Sequence, residues 1–136
     1  MCQLTRLSAL VLFLSLLSCR DPNSYQPFDP TKPDPPAPPV LTYPTDGWLS
    51  DDFAYPQDVS FAWQSVPGAQ FYEMQVQSDS LFTGSSPGWR VYESSAVYSL
   101  HTFGVYYWRV RAASRNWNNY TDWSHPFRFT LPNPGK

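Results

Sequence analysis

The chain has 136 residues and a formal net charge of −2, from nine Lys and Arg against eleven Asp and Glu. That length suits one domain of ordinary size, and without clustered Lys and Arg to neutralise phosphates no nucleic-acid partner is expected. Aromatic residues make up 18% and charged residues 15%; with Ala, Leu, Glu and Lys scarce beyond the first twenty positions, this balance favours strands over helices.

The first elements concern targeting. A basic start with Arg6 leads into an apolar run from Leu7 to Leu17. Its eleven residues are too few to span a bilayer, which needs roughly 20, but match the core of a secretory signal. The run ends Leu16-Leu17-Ser18-Cys19, which resembles the lipobox of bacterial lipoproteins: an aliphatic residue, a tolerant position, a small residue, then Cys. The resemblance implies cleavage after residue 18 and lipid on the thiol of Cys19, with palmitate-like acylation of the new amino terminus. One acyl chain holds a protein marginally, whereas two or more hold it stably. The partner at this end is then a membrane, and no other cofactor is expected. Arg20 follows Cys19 where an Asp would favour inner-membrane retention, so the resemblance places the protein in a bacterial cell envelope, at the outer membrane. Cys2 falls in the removed segment, so no intrachain disulfide is expected.

Residues 19–39 then read as a tether. Eight of the twenty residues from Arg20 to Pro39 are proline, which rules out a helix or central strand and leaves little to bury. In polyproline II form such a segment would reach roughly 60 Å. It is expected to be a solvated, disordered spacer rather than a docking motif.

Beyond it the pattern alternates, as half-buried strands do. Val59, Phe61 and Trp63 share one face, as do Tyr72, Met74 and Val76, with Glu73, Gln75 and Gln77 opposite. Tyr106, Trp108, Val110 and Ala112 point inward and Tyr107, Arg109 and Arg111 outward. Phe127, Phe129 and Leu131 alternate with Arg128 and Thr130. Shorter candidates are Val40–Tyr43, Trp89–Tyr92 and Ala96–Leu100, and turn signals at Pro67-Gly68, Gly84–Gly88 and Asn116–Asn119 separate the runs. Seven short strands imply an all-β antiparallel sandwich over residues 40–131, followed by a tail, 132–136. Trp63 and Trp108 should be buried on facing sheets.

"VSFAWQSVPGAQFYEMQVQSDSLF" resembles the second and third strands of bacterial fibronectin type III-like domains. "SLHTFGVYYWRVRAAS" is similar to that family's fifth-to-sixth strand corner and "DWSHPFRF" to its last strand. The resemblance implies a seven-stranded immunoglobulin-like sandwich that acts as a binding or spacer module. Thr102 stands where the family's corner usually has proline.

Catalysis finds little support. His101 and His125 fall at a corner and near a strand start, and no nucleophile motif is present. Asp46, Asp51, Asp52 and Asp58 are too few oxygens for calcium, which takes six to eight, so no metal site is expected. The informative cluster is "RNWNNYTDW", residues 115–123. There Trp117 and Tyr120 stand among Asn116, Asn118, Asn119 and Asp122, aromatic faces beside polar groups that suit a protein partner or a sugar ring. The competing reading is that the rings cap the core; Trp123 is expected to do so. Asp79-Ser80-Leu81 matches a bacterial O-glycosylation pattern at Ser80. The expectation is a non-enzymatic accessory subunit that binds another envelope protein; the alternative is a glycan-binding module using loop 115–123.

Overall fold

The computed structural model describes residues 28–84 and 88–136. The signal segment and Cys19 lie outside the described residues. Eight strands follow one another: β1 (Leu41–Tyr43), β2 (Trp48–Leu49), β3 (Gln57–Trp63), β4 (Phe71–Gln77), β5 (Trp89–Val91), β6 (Ser95–Leu100), β7 (Gly104–Ala113) and β8 (Phe127–Leu131). They form two sheets, ordered β1-β3-β6 and β2-β8-β7-β4-β5. All pairings are antiparallel except β2 with β8, which is parallel. The two-residue β2 is the strand that alternation does not reveal. It is too short to show a period, and it exists because Ser50 N–H reaches Thr130 O and Gly47 N–H reaches Arg128 O.

The expected inward faces are the observed ones. Val59, Phe61 and Trp63 are buried from one sheet, Met74, Trp108, Val110, Phe129 and Leu131 from the other. Trp108 has no solvent exposure and Trp63 has 3%. Phe61 packs edge-on to Trp108 at 5.0 Å and to Phe129 at 5.7 Å, and Trp63 lies 6.4 Å from Trp108. The two indoles therefore join the sheets at the centre of the core.

Two turns determine how the strands meet. Pro67 and Gly68 occupy the centre of a turn closed by Ala69 N–H to Val66 O at 3.1 Å. Gly68 has φ +83° there, a conformation glycine adopts without steric cost. At the β6–β7 corner, Tyr106 Oη donates to Thr102 O at 2.9 Å, and the Thr102 hydroxyl lies 2.7 Å from the same phenol oxygen. This is a tyrosine corner. Thr102 in place of proline adds a side-chain hydrogen bond to it.

Candidate functional site

The loop from Ser114 to Pro126 joins β7 to β8, and much of it is fastened to β7. Thr121 N–H donates to Ala112 O, and Ala112 N–H donates back to the Thr121 hydroxyl, each at 2.9 Å. Ser124 repeats the device two residues along β7: its N–H bonds Val110 O at 2.8 Å and its hydroxyl accepts from Val110 N–H at 3.0 Å. Each hydroxyl takes the place of a ladder carbonyl, so no buried N–H is left unpaired here.

That zipper sends the aromatic residues of the loop in fixed directions. Trp117 turns inward, is 8% exposed and belongs to the core, with its ring against Gly68. Tyr120 lies on the outer face of the larger sheet. Its Oη donates to Glu73 Oε1 at 2.8 Å, and Arg111 pairs with the other oxygen of the same carboxylate at 2.7 Å. Trp123 stacks between two guanidiniums, with Arg109 4.3 Å and Arg111 4.5 Å from its ring. Arg111 also covers Tyr120 at 3.8 Å, and Arg109 covers Phe82 at 4.2 Å. A continuous stack runs Phe82, Arg109, Trp123, Arg111, Tyr120 across the outward face. Cross-strand partners complete it, since Arg109 pairs with Gln75 and Arg111 with Glu73 in the β4–β7 register. Trp123 does not cap the core as expected; it packs on the outward face of the larger sheet between the two guanidiniums.

The expected contact surface at 115–123 is corrected accordingly. Trp117 offers no face to a partner, because its ring fills the end of the core. Tyr120 is half-buried and engaged through both ring and hydroxyl. Asn116, Asn119 and Asp122 are exposed, and Asn118 is half-buried. What remains on the surface is polar, without the flat apolar platform that the sequence suggests.

A second correction concerns the tether. From Phe28 onward the chain is part of the domain. Phe28 forms a β-bridge with Asn119, Asp29 N–H bonds Asn118 O at 2.7 Å, and Asn118 N–H bonds Pro33 O at 2.9 Å. The Asn118 amide also donates to Asp34 Oδ1 at 2.5 Å. Thr31 and Lys32 close a turn on the Asp29 carboxylate, whose pKa the Thr31 bonds lower. Proline carbonyls remain acceptors, so a segment unable to join a ladder as donor can still be bonded by Asn118.

This strap, residues 28–39, crosses the end of the sandwich formed by the β3–β4 and β7–β8 connections. The opposite end carries the segments 50–56, 78–84 and 101–103. There Phe53 and Phe103, and beside them Leu49 at the end of β2, are 53%, 52% and 63% exposed. Sequence reasoning overlooked these side chains because single apolar residues in loops carry no periodic signal.

The remaining candidates stay separate. Ser80 is exposed in a turn closed by the Asp79 carboxylate, which accepts from Leu81 and Thr83 N–H groups at 2.9 Å. The acidic residues act as backbone caps: Asp46 accepts from Arg128 N–H and Asp52 from Ala54 N–H, each at 2.9 Å, while Asp58 holds the Ser99 hydroxyl. Among the described residues no group of His, Cys, Asp or Glu could hold a metal ion. His101 and His125 are both exposed and lie at opposite ends of the β6–β8 path.

In β5, the strand between β4 and β6, all pairing is to β4, which gives the three-plus-four arrangement flanked by β2; the β6–β7 corner is the tyrosine corner described above. The sandwich is fibronectin type III-like. No protein-family model and no curated protein matches the sequence. Solved structures do align with it. A fibronectin type III-like protein of Clostridium thermocellum is 22% identical with a TM-score of 0.49, over 74% of this chain and 97% of its own. A fibronectin type III domain of the human KIAA0970 protein is 17% identical with a TM-score of 0.47, over 71% of this chain and 72% of its own. The structure described as FN3tt is 13% identical with a TM-score of 0.42, over 74% and 100%.

The stack makes one titration distinctive. Burial, and then the bond to Glu73, push the Tyr120 phenol from its ordinary 10.0 up to about 12. The neutral phenol is the form favoured in the fold, so this contribution to stability is complete below pH 10 and is lost as the pH rises through about 12. Phenolate absorbance should show one tyrosine titrating near 12 that Tyr120→Phe removes.

Proposed function

We propose that this is a lipid-anchored protein of a bacterial cell envelope, which presents its sandwich to another envelope protein as an accessory subunit. The anchor rests on the lipobox-like Leu16-Leu17-Ser18-Cys19. The observation that carries the interaction is the placement of Leu49, Phe53 and Phe103, exposed at the end opposite the strap. Eight residues, Arg20 to Pro27, separate Cys19 from Phe28. A chain of that length spans at most about 30 Å, half the reach of a tether running to residue 39. The anchored end is thus the strap end, and the three apolar side chains face away from the membrane. Contiguous exposed apolar patches rimmed by polar residues mark interaction sites.

A glycan reading retains only the polar side chains Asn116, Asn119 and Asp122, because Trp117 is in the core. No aromatic ring of loop 115–123 is fully exposed, which favours the protein partner.

Two variants test the proposal. Cys19→Ser should remove lipid from the mature amino terminus and shift the protein from the membrane to the soluble fraction; a plain amino terminus at another position in the native chain would overturn the anchor. Phe53→Ala with Phe103→Ala should leave the melting curve near that of the native chain, since surface substitutions usually cost within about 0.5 kcal/mol each. It should weaken co-purification of the envelope partner at least tenfold, as aromatic hot spots contribute about 2 kcal/mol or more. Unchanged co-purification would move the interface away from this end.

A further inference from the structure

We propose that β6 is a self-association edge, pairing antiparallel with β6 of a second copy about a two-fold axis at Val97. Among the described residues, the four edge strands of the two sheets differ sharply in how well they are protected. β1 is three residues long, carries a register irregularity and sits near Pro39 and Pro44. β2 has two residues, and β5 has three with Arg90 at its centre. Shortness, bulges, prolines and charges are the usual devices that keep an edge from pairing. β6 has none of them. It runs six residues, Ser-Ala-Val-Tyr-Ser-Leu, with no charge and no proline, and it ends the order β1-β3-β6.

The ladder shows which groups this edge offers. Trp63 N–H donates to Ser94 O, so residues 63 and 94 form a hydrogen-bonded pair. Such pairs recur at every second position of an antiparallel ladder. In the β3–β6 register they are Phe61 with Ala96, Val59 with Tyr98 and Gln57 with Leu100. The N–H and C=O groups of Ser95, Val97 and Ser99 therefore point away from β3, toward the open edge. Their side chains lie on the outer face, where Val97 is 67% exposed. The inward Tyr98 stacks on Trp89 at 3.8 Å and closes the side of the sandwich.

This edge is complementary to itself. An axis at Val97 sets Val97 opposite its own copy and Ser95 opposite Ser99 of the copy. Each of these is a hydrogen-bonded pair, so all three outward donors and all three outward acceptors are satisfied together. A shift of the axis by one residue leaves either Ser95 or Ser99 without a partner in the strand. The central pair is apolar, the flanking pairs are small hydroxyl residues, and no charge opposes another. The result is a continuous six-stranded sheet, β1-β3-β6 followed by its symmetry mate.

The full chain, expressed in bacteria and solubilised in detergent, tests this. In a hydrogen-bonded antiparallel pair the Cα atoms lie about 5.5 Å apart, within reach of a disulfide. Val97→Cys should give a reducible species of doubled mass under mild oxidation that the native chain does not give. Ser95→Cys alone should not, whereas Ser95→Cys mixed with Ser99→Cys should. Val97→Pro removes only an outward N–H, which edge strands tolerate, so it should abolish the association with an unchanged melting curve. Ala96→Pro removes a donor to β3 and should destabilise the domain. Failure of the native chain to associate at about 0.1 mM, an association weaker than about −5.5 kcal/mol, would overturn the proposal. So would association that survives Val97→Pro, or a Val97→Cys link to a protein of another mass.

Discussion

Trp108→Ala unfolds the domain or brings it to the edge of unfolding. The indole has no solvent exposure and touches both sheets, through Phe61 at 5.0 Å, Trp63 at 6.4 Å and Phe127 at 6.2 Å. Removing a buried Trp side chain typically costs about 3–5 kcal/mol, the lost transfer energy plus the cavity left behind. A domain of this size has about 5–15 kcal/mol in total. Three facing aromatic rings cannot collapse into the space without leaving their own ring-to-ring packing, so the upper part of the range applies. Trp108 Nε1 has no hydrogen-bond partner among the described residues. Its removal therefore orphans no acceptor, and the whole effect is packing. Thermal denaturation followed by near-ultraviolet circular dichroism should show the loss of the native signal at 25 °C or a melting midpoint lowered by more than about 15 °C. A midpoint within a few degrees of the native value would mean that the centre of the core lies elsewhere.

Trp117→Ala combined with Tyr120→Ala should also be strongly destabilising, the reverse of what an exposed contact loop would give. Trp117 is core, and its removal opens a cavity beneath Gly68 and the turn at Pro67. Tyr120→Ala removes a ring from the stack on Arg111 and leaves Glu73 Oε1 without that donor. Glu73 is still paired to Arg111, so this second effect is the smaller. A combined cost of about 4–6 kcal/mol follows from truncating a large buried side chain and breaking one hydrogen bond at a half-buried site. The two positions lie on opposite faces of the loop, so the costs should be close to additive. Urea denaturation of the single and double variants decides it. Near-native stability of the double variant would return the loop to the role of a free surface. Separately, Asn118→Ala should release the strap, seen as faster amide exchange at residues 28–34 with the core unaffected.

The sequence by itself determined the class of fold and the inward faces of its strands. Both are periodic properties. Val59, Phe61 and Trp63 alternate because a strand turns every second side chain to the same side, and that rule needs no knowledge of the partner strand. The anchor proposed at Cys19 rests on a signal that is equally local, the apolar run just before it. What only the tertiary structure decided was the fate of isolated residues. Trp117 and Tyr120 stand three apart in an irregular loop, where no period assigns a side. Their directions follow from Thr121 and Ser124, whose hydroxyls fasten the loop to Ala112 and Val110. The strap was hidden for a similar reason. Proline excludes helix and sheet, which is visible in the composition, but the carbonyl of Pro33 can still accept a bond, and its donor, Asn118, lies 85 residues away along the chain. The outward stack could be seen in part, as Arg109 and Arg111 across from Gln75 and Glu73. Its aromatic members Phe82, Tyr120 and Trp123 come from two loops that meet only when β4 and β7 pair. Residues whose neighbours are set by long-range pairing carry no local trace of them, and in this protein those are the residues that decide which surface is left for a partner.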